Sequence, residues 1–411
     1  MTEHAGFGLG ALVALTLALA LWSLIDARMA RWNISAPMWF VAVGWFVTNG
    51  PGHMVPISLH SEAIKLVAEF TLAVVLFGDA ARVRLRDLGH DAGLPSRLLL
   101  GGLPITIALG TVAAHLLLPS LSWWVCAVIG AAVAPTDAAL GAAIIDDERV
   151  PERIRRVLNV ESGLNDGIAT PFVKFFLVAA AAGTSLDQGT ESHAVAALAL
   201  GVVGGVVVGA VGGASMQFAT RHGWAGAAAR PIGVLALAVL SYSAVVQLDG
   251  NGFVAAFVAG LAYGATSDRS SDEVLELTHQ TGSYLASVVW FIFGALMVPQ
   301  LSHLTWHDVV FAVVALTVVR MAPVALVLVG TKLDRSTVAV VGWFGPRGLA
   351  SVVFALMAVE ALEEHIALRA DVAITATVAL SVVLHGVSAA PIAKRYAAAH
   401  SARTPEGSSV S

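Results

Sequence analysis

Charge is what this sequence has least of. Asp, Glu, Lys and Arg make up 12% of its 411 residues against 57% hydrophobic residues, and the mean hydropathy is +0.80. That shortage excludes a soluble domain of any size and describes an integral membrane protein. Cysteine is nearly absent too. The lone Cys126 excludes an intrachain disulfide framework, and its apolar neighbours mark it as a small core residue. No GxxxxGK[ST] phosphate loop occurs, so autonomous ATP-driven transport is excluded, and no room remains for a nucleotide-binding or regulatory domain. The opening MTEHAGFG carries Glu3 and no basic stretch, so the first apolar run reads as a retained span and not a cleaved signal peptide.

What is present is a series of apolar runs near the roughly 20 residues that cross a bilayer. Thirteen candidates fall at 6–25, 37–52, 62–79, 98–118, 122–144, 161–182, 194–218, 231–248, 252–265, 282–299, 308–330, 336–359 and 371–392. The net charge of -5 matters less than where the basic residues fall. Arg28, Arg31, Arg82, Arg84, Arg86, Arg97, Arg149, Arg153, Arg155, Arg156, Arg221, Arg230, Arg269, Lys332, Arg335, Lys394, Arg395 and Arg403 occupy loops of one side, and Arg369 alone occupies the other. Basic loops face the cytoplasm, which predicts an external N-terminus and a cytoplasmic C-terminus. The expected fold is an all-α polytopic membrane protein of about 13 helices. One transporter domain covers 1–393, and a short cytoplasmic tail, 394–411, is Ser-rich and disordered from His400 onward.

Several charges fall inside these runs or at their edges: Lys65, Lys174, Arg320 and Arg347 against Glu69, Asp137, Glu161 and Asp166, with Asp79 near a cytoplasmic end. A carboxylate at the centre of a bilayer costs roughly 2.5–3.5 kcal/mol on insertion scales, and such groups face an interior pathway and pair with one another. Two charges adjoin helix breakers. AAVAPTDAALG in the fifth span places Pro135 before Thr136 and Asp137, and GWFGPRGLAS in the twelfth surrounds Arg347 with Gly345, Pro346 and Gly348. Both read as broken helices, because proline lacks a backbone donor and disfavours helical geometry before it. Irregular backbone at membrane depth survives where it lines a cavity or is buried in protein. An offset of seven spans reverses orientation, so spans one to six and eight to thirteen read as inverted repeats around a transporter's ion site.

The sixth span carries VESGLNDGIATP. On a helix Glu161 and Asn165 share one face, and Ser162 and Asp166 an adjacent one. A hard monovalent cation such as Na⁺ takes several oxygen ligands, which Asp166, Asp137, Thr136 and Ser162 supply. Burial favours a protonated carboxyl and a bound cation favours the ionised one, so occupancy by proton and cation excludes one another. Glu161 then needs a partner, and Arg347 in the facing break is the natural one, as a positional latch. The Asn165 amide is expected to bond Thr136 or the broken backbone without adding charge.

APTDAALG, VESGLNDG and GPRGLAS, together with LFGDAARVRLRDL after the third span, closely resemble sodium/proton antiporters of the NhaP/NHE type, the electroneutral branch of the monovalent cation/proton antiporters. The resemblance extends over nearly the whole chain. It implies secondary antiport of Na⁺, or of Li⁺ or K⁺, against H⁺ by alternating access, with Asp166 as the carboxylate that trades the two. Asp137, Thr136 and Ser162 become ligands, Glu69 a further or water-mediated one, and Glu161 with Arg347 the structural pair. Asn165 stands where electrogenic relatives have a second Asp, which implies one-for-one exchange. A homodimer in the cell's inner (plasma) membrane is also implied. In it a core of spans four to six and eleven to thirteen moves against an interface domain of spans one to three and seven to ten.

Other classes fit less well. A cation channel or uniporter without proton coupling is the alternative reading. An intramembrane aspartyl protease using Asp137 and Asp166 lacks its supporting pattern, so the chain is not read as an enzyme. No cofactor is expected beyond the transported ions, and no nucleic acid. The seventh span, GVVGGVVVGAVGGASM, permits close helix contacts or serves as a tightly packed connecting helix. His303 and His307 read as solvated loop residues, and His115 and His385 as satisfied structural ones. Lys174, Arg320 and Asp79 carry no assigned role.

Overall fold

A computed structural model describes residues 9–50, 61–83, 93–182, 188–266 and 271–401. Among these the secondary structure is helical, without a β-strand. In chain order the helices are α1 (Leu9–Arg31), α2 (Ala36–Asn49), α3 (Glu62–Arg82), α4 (Gly93–Leu117), α5 (Trp123–Ala132), the short α6 (Ala142–Ile145), α7 (Glu152–Ala181) and α8 (Gln188–Arg221). They continue as α9 (Ala229–Val246), α10 (Gly252–Thr266), α11 (Ser271–Ile292), α12 (Trp306–Leu316), α13 (Val318–Val327), α14 (Arg335–Trp343), α15 (Leu349–Ala361) and α16 (Glu364–Ser401).

Among the described residues the apolar runs overlap helix, singly or as broken pairs. Among the described residues eight segments are long and apolar enough to cross a membrane by length and composition: α1, α4, α7, Ser192–Arg221, α9, Glu273–His303, Trp306–Val327 and Glu364–Ala399. The rest differ for physical reasons. α2 has 14 residues, α5 and α10 are short, α14 and α15 are separated by a break, and α3 is long but carries Glu62, Lys65, Glu69, Asp79 and Arg82. Boundaries move where charge hides helix from an apolar ruler. α7 begins at Glu152, nine residues before the run that announced it, because Ile154, Val157 and Leu158 bury one face while Glu152, Arg153 and Arg156 stay outside. α16 likewise runs on through Ser401, so Lys394 and Arg395 lie in helix. Arg369, read as an external loop residue, lies in α16 and bonds the buried Asp308 at 3.1 Å, while Asp308 caps α12 through Thr305. Arg84, Arg86, Arg269 and Arg403 lie outside the described residues.

The two broken helices are present. α5 ends at Ala132, three residues before Pro135, and the chain stays irregular to Ala142. α14 ends at Trp343, and helix resumes at Leu349 beyond Gly345, Pro346 and Gly348. The breaks cross each other: the Asp137 N–H donates to the Pro346 carbonyl at 2.8 Å. Around the crossing, α4, α5 and α7 pack together and α12, α15 and α16 pack together, while α2, α3, α8, α9, α10 and α11 form a second group. α3 and α10 meet α7, and α15 meets α3, where the groups join.

The glycines of α8 serve a contact within the chain. A side chain on Gly201, Gly205 or Gly209 would run into the carbonyls of Asn251, Ala255 and Ala259, so α8 lies almost backbone to backbone on α10. The valines between them, Val203 and Val207 among them, point outward. Gly205→Leu is therefore expected to cost about 1–3 kcal/mol by overpacking, whereas Val203→Leu should leave the melting temperature in detergent unchanged; equal melting of both variants would contradict this packing.

Candidate functional site

The crossing is built by complementary capping. Asp137 Oδ2 accepts the Leu349 N–H at 3.0 Å, capping the first turn of α15, while Oδ1 accepts the Leu140 N–H at 3.1 Å. In return Arg347 donates from Nη1 to the Ala134 carbonyl at 3.0 Å, just past the end of α5, and lies within 3.5 Å of the Ala315 carbonyl. The glycines flanking Arg347 exist for neighbours. A methyl group on Gly348 would strike the Asp137 carboxylate, and one on Gly345 would strike the Arg320 guanidinium.

Arg320 explains why Arg347 is not the partner of Glu161. It lies on α13, beyond the interruption at Thr317, passes over Gly345 and binds Glu161 with both ends of its fork, at 2.5 and 3.0 Å. The expected Glu161–Arg347 pair is thus replaced by Glu161–Arg320, and Arg347 is spent on backbone carbonyls that the break exposes. Sequence spacing could not choose between two arginines on different elements.

One turn along α7 the polar residues converge. The Asn165 amide donates to Thr136 Oγ1 at 2.6 Å, one of the two acceptors its position suggested, and Thr136 Oγ1 meets Ser162 Oγ at 3.2 Å. Thr136, Asp137, Ser162 and Asp166 line one cavity of about 320 Å³. Asp79 lines it too, its side chain lying against Gly163 of α7. The lining also includes Trp22, Pro37 and His279, and contains three carboxylates but neither lysine nor arginine. Asp137 is occupied by backbone donors, whereas among the described residues no hydrogen bond reaches the Asp166 carboxylate. No three acidic, His or Cys side chains among those residues close into a tight metal cage. The site suits a loosely held cation with oxygen ligands more than a resident metal.

Glu69 does not join this cavity. It sits ten residues before Asp79 on α3, about 15 Å along the axis, and accepts the Tyr242 hydroxyl at 2.7 Å. Lys174, placed over the Phe253 ring at 5.6 Å, belongs to the same distant half. The residue that sequence reasoning missed is Asp79; its only signal was position, one carboxylate near the end of the third span. For the pair, Arg320→Leu is expected to destabilise by about 3–5 kcal/mol by stranding Glu161, and adding Glu161→Leu to recover most of that loss. Thermal unfolding in detergent checks this, since Arg347→Leu should gain nothing from the same second change.

A curated K(+)/H(+) antiporter NhaP of Alkalimonas amylolytica is 25% identical over 90% of this chain and 64% of its own length. A sodium, potassium, lithium and rubidium/H(+) antiporter of Bacillus subtilis is 24% identical over 64% of this chain and 39% of its length. The chain therefore spans less than two thirds of these relatives. Among solved structures, the sodium proton antiporter MjNhaP1 of Methanocaldococcus jannaschii shares the fold with a TM-score of 0.77 at 18% identity, covering 95% of this chain and all of that one. A family profile described as sodium/hydrogen exchanger, transmembrane, matches residues 11–395, and the chain belongs to that family of multi-pass membrane proteins.

Proposed function

We propose that the protein is a secondary antiporter exchanging one monovalent cation for one proton at Asp166. The observation that carries this reading is the Asp166 carboxylate itself: it has no hydrogen-bond partner among the described residues and faces a cavity that it shares with Asp79, Asp137, Thr136 and Ser162 and whose lining holds no lysine or arginine. Such a group is neutralised either by a proton or by a cation, and the two compete. Ser162, Thr136 and Asp79 supply further oxygens, and Asp137 lends charge from its capping position. Asn165 holds Thr136 without ionising, so α7 brings a single carboxylate to the cavity, which favours electroneutral one-for-one exchange. Na⁺ is the first cation to test, with K⁺ and Li⁺ beside it, since the relatives' names include each of them.

The cavity opens among residues at the Arg82 end of α3, together with Trp22 of α1, Pro37 of α2 and Thr278 of α11. At the other end of α3, Lys65 forms an ion pair with Glu360 near the end of α15. With the basic loops cytoplasmic, the N-terminus outside and the protein in the plasma membrane, this is an inward-facing arrangement. Alternating access follows if the group around the broken helices moves against the group around α3 and α10, with the latter also joining two copies into a homodimer.

In proteoliposomes with clamped potential, Asp166→Asn is expected to abolish cation-driven proton movement while the protein stays folded; retained exchange would remove Asp166 from the centre of the reaction. In the wild type the cation concentration giving half-maximal flux should rise as pH falls, approaching about tenfold per unit on the acid side, because protons occupy the same carboxylate. A cation flux without coupled protons would favour a channel.

A further inference from the structure

A break in a helix leaves its last carbonyls and next amides without intrahelical partners. At the second break these groups are met by Ser381 and His385 of α16, neither of which lines the ion cavity. His385 Nε2 lies 3.0 Å from the carbonyl of Trp343, the last residue of α14, and Nδ1 lies 3.0 Å from the Ser381 carbonyl and 3.2 Å from Ser381 Oγ. Ser381 Oγ in turn accepts the backbone N–H of Arg347 at 2.7 Å. Both ring nitrogens have a backbone carbonyl within reach, so either tautomer of the neutral ring donates one N–H to a carbonyl, and the ring bridges Trp343 and Ser381. The result is one run of contacts from the Arg347 N–H through Ser381 and His385 to the Trp343 carbonyl, with the Arg347, Ser381 and His385 side chains buried.

We infer that His385 and Ser381 are positioning residues for the ion site, a splint across the second break. Arg347, whose amide the splint holds, lies between Pro346, whose carbonyl receives the Asp137 N–H, and Leu349, whose N–H binds the Asp137 carboxylate. The splint therefore sets where Asp137 stands in the Asp166 cavity, without touching the cation. The Trp343 indole stacks near the His385 ring and separately donates from Nε1 to Ser388 Oγ at 3.0 Å. That second contact anchors the same tryptophan to α16 but leaves the break alone, which provides a control.

The inference rests on the proposed antiport. The cation concentration for half-maximal proton flux is measured in proteoliposomes, beside cation-dependent thermal stabilisation in detergent, for the wild type and for His385→Ala, His385→Gln, Ser381→Ala and Ser388→Ala. His385→Ala and Ser381→Ala are expected to weaken apparent cation affinity by about three- to tenfold, the scale of one hydrogen bond, and the double variant to be no worse than the poorer single one. His385→Gln, whose amide can still donate, should recover part of the loss, and Ser388→Ala should keep wild-type affinity. Unchanged affinity in Ser381→Ala, even where His385→Ala fails to fold, overturns the splint while leaving antiport standing. A wild type that neither exchanges nor is stabilised by any cation overturns the antiport, and the splint with it.

Discussion

Each broken helix in this protein is finished by a charge from the other. The Asp137 carboxylate, from the first break, sits at the N-terminal end of α15, where amide donors point outward and the helix dipole favours negative charge. The Arg347 guanidinium, from the second break, sits on the carbonyls that follow α5. Neither break could be buried alone, because unpaired backbone groups away from water cost several kcal/mol each in a bilayer. Crossing them satisfies both, and the Asp137 amide bonded to Pro346 fixes their register.

This reciprocity assigns the remaining charges. With Arg347 committed to carbonyls, Glu161 is held by Arg320, so α7 and α13 are linked by a buried two-pronged pair. α7 therefore arrives at the crossing already oriented, with Asn165 on Thr136 and Asp166 turned to the cavity. Negative charge collects on one side of the crossing and positive charge on the other. Among the described residues Asp166 is held by no hydrogen bond, which suits a carboxylate whose proposed work requires that it change partners.

Much of this was legible in the chain. The helical segments, both breaks and the convergence of Thr136, Asp137, Ser162, Asn165 and Asp166 follow from apolar runs, two prolines and the spacing of one helix. What failed was pairing at a distance. Whether Arg320 or Arg347 reaches Glu161 depends on the interruption at Thr317 and on the room that Gly345 leaves, neither of which a span ruler sees. Glu69 and Asp79 share a helix, and only the axial position of α3 against α7 decides which faces Asp166. The division into two moving groups, the dimer and the membrane orientation rest on the proposed reading.

The cavity beside Asp166 also reshapes the electric field. Where water-filled space reaches into a membrane from one side, the potential falls across what remains closed, and a unit charge crossing the whole of it exchanges about 2.3 kcal/mol per 100 mV. On the proposed inward-facing reading the closed layer holds the Tyr242–Glu69 hydrogen bond, with the exposed Lys65–Glu360 pair at its outer rim. The Tyr242–Glu69 contact then stands in the steepest part of the voltage drop, while Asp166 lies close to the potential of the compartment it faces.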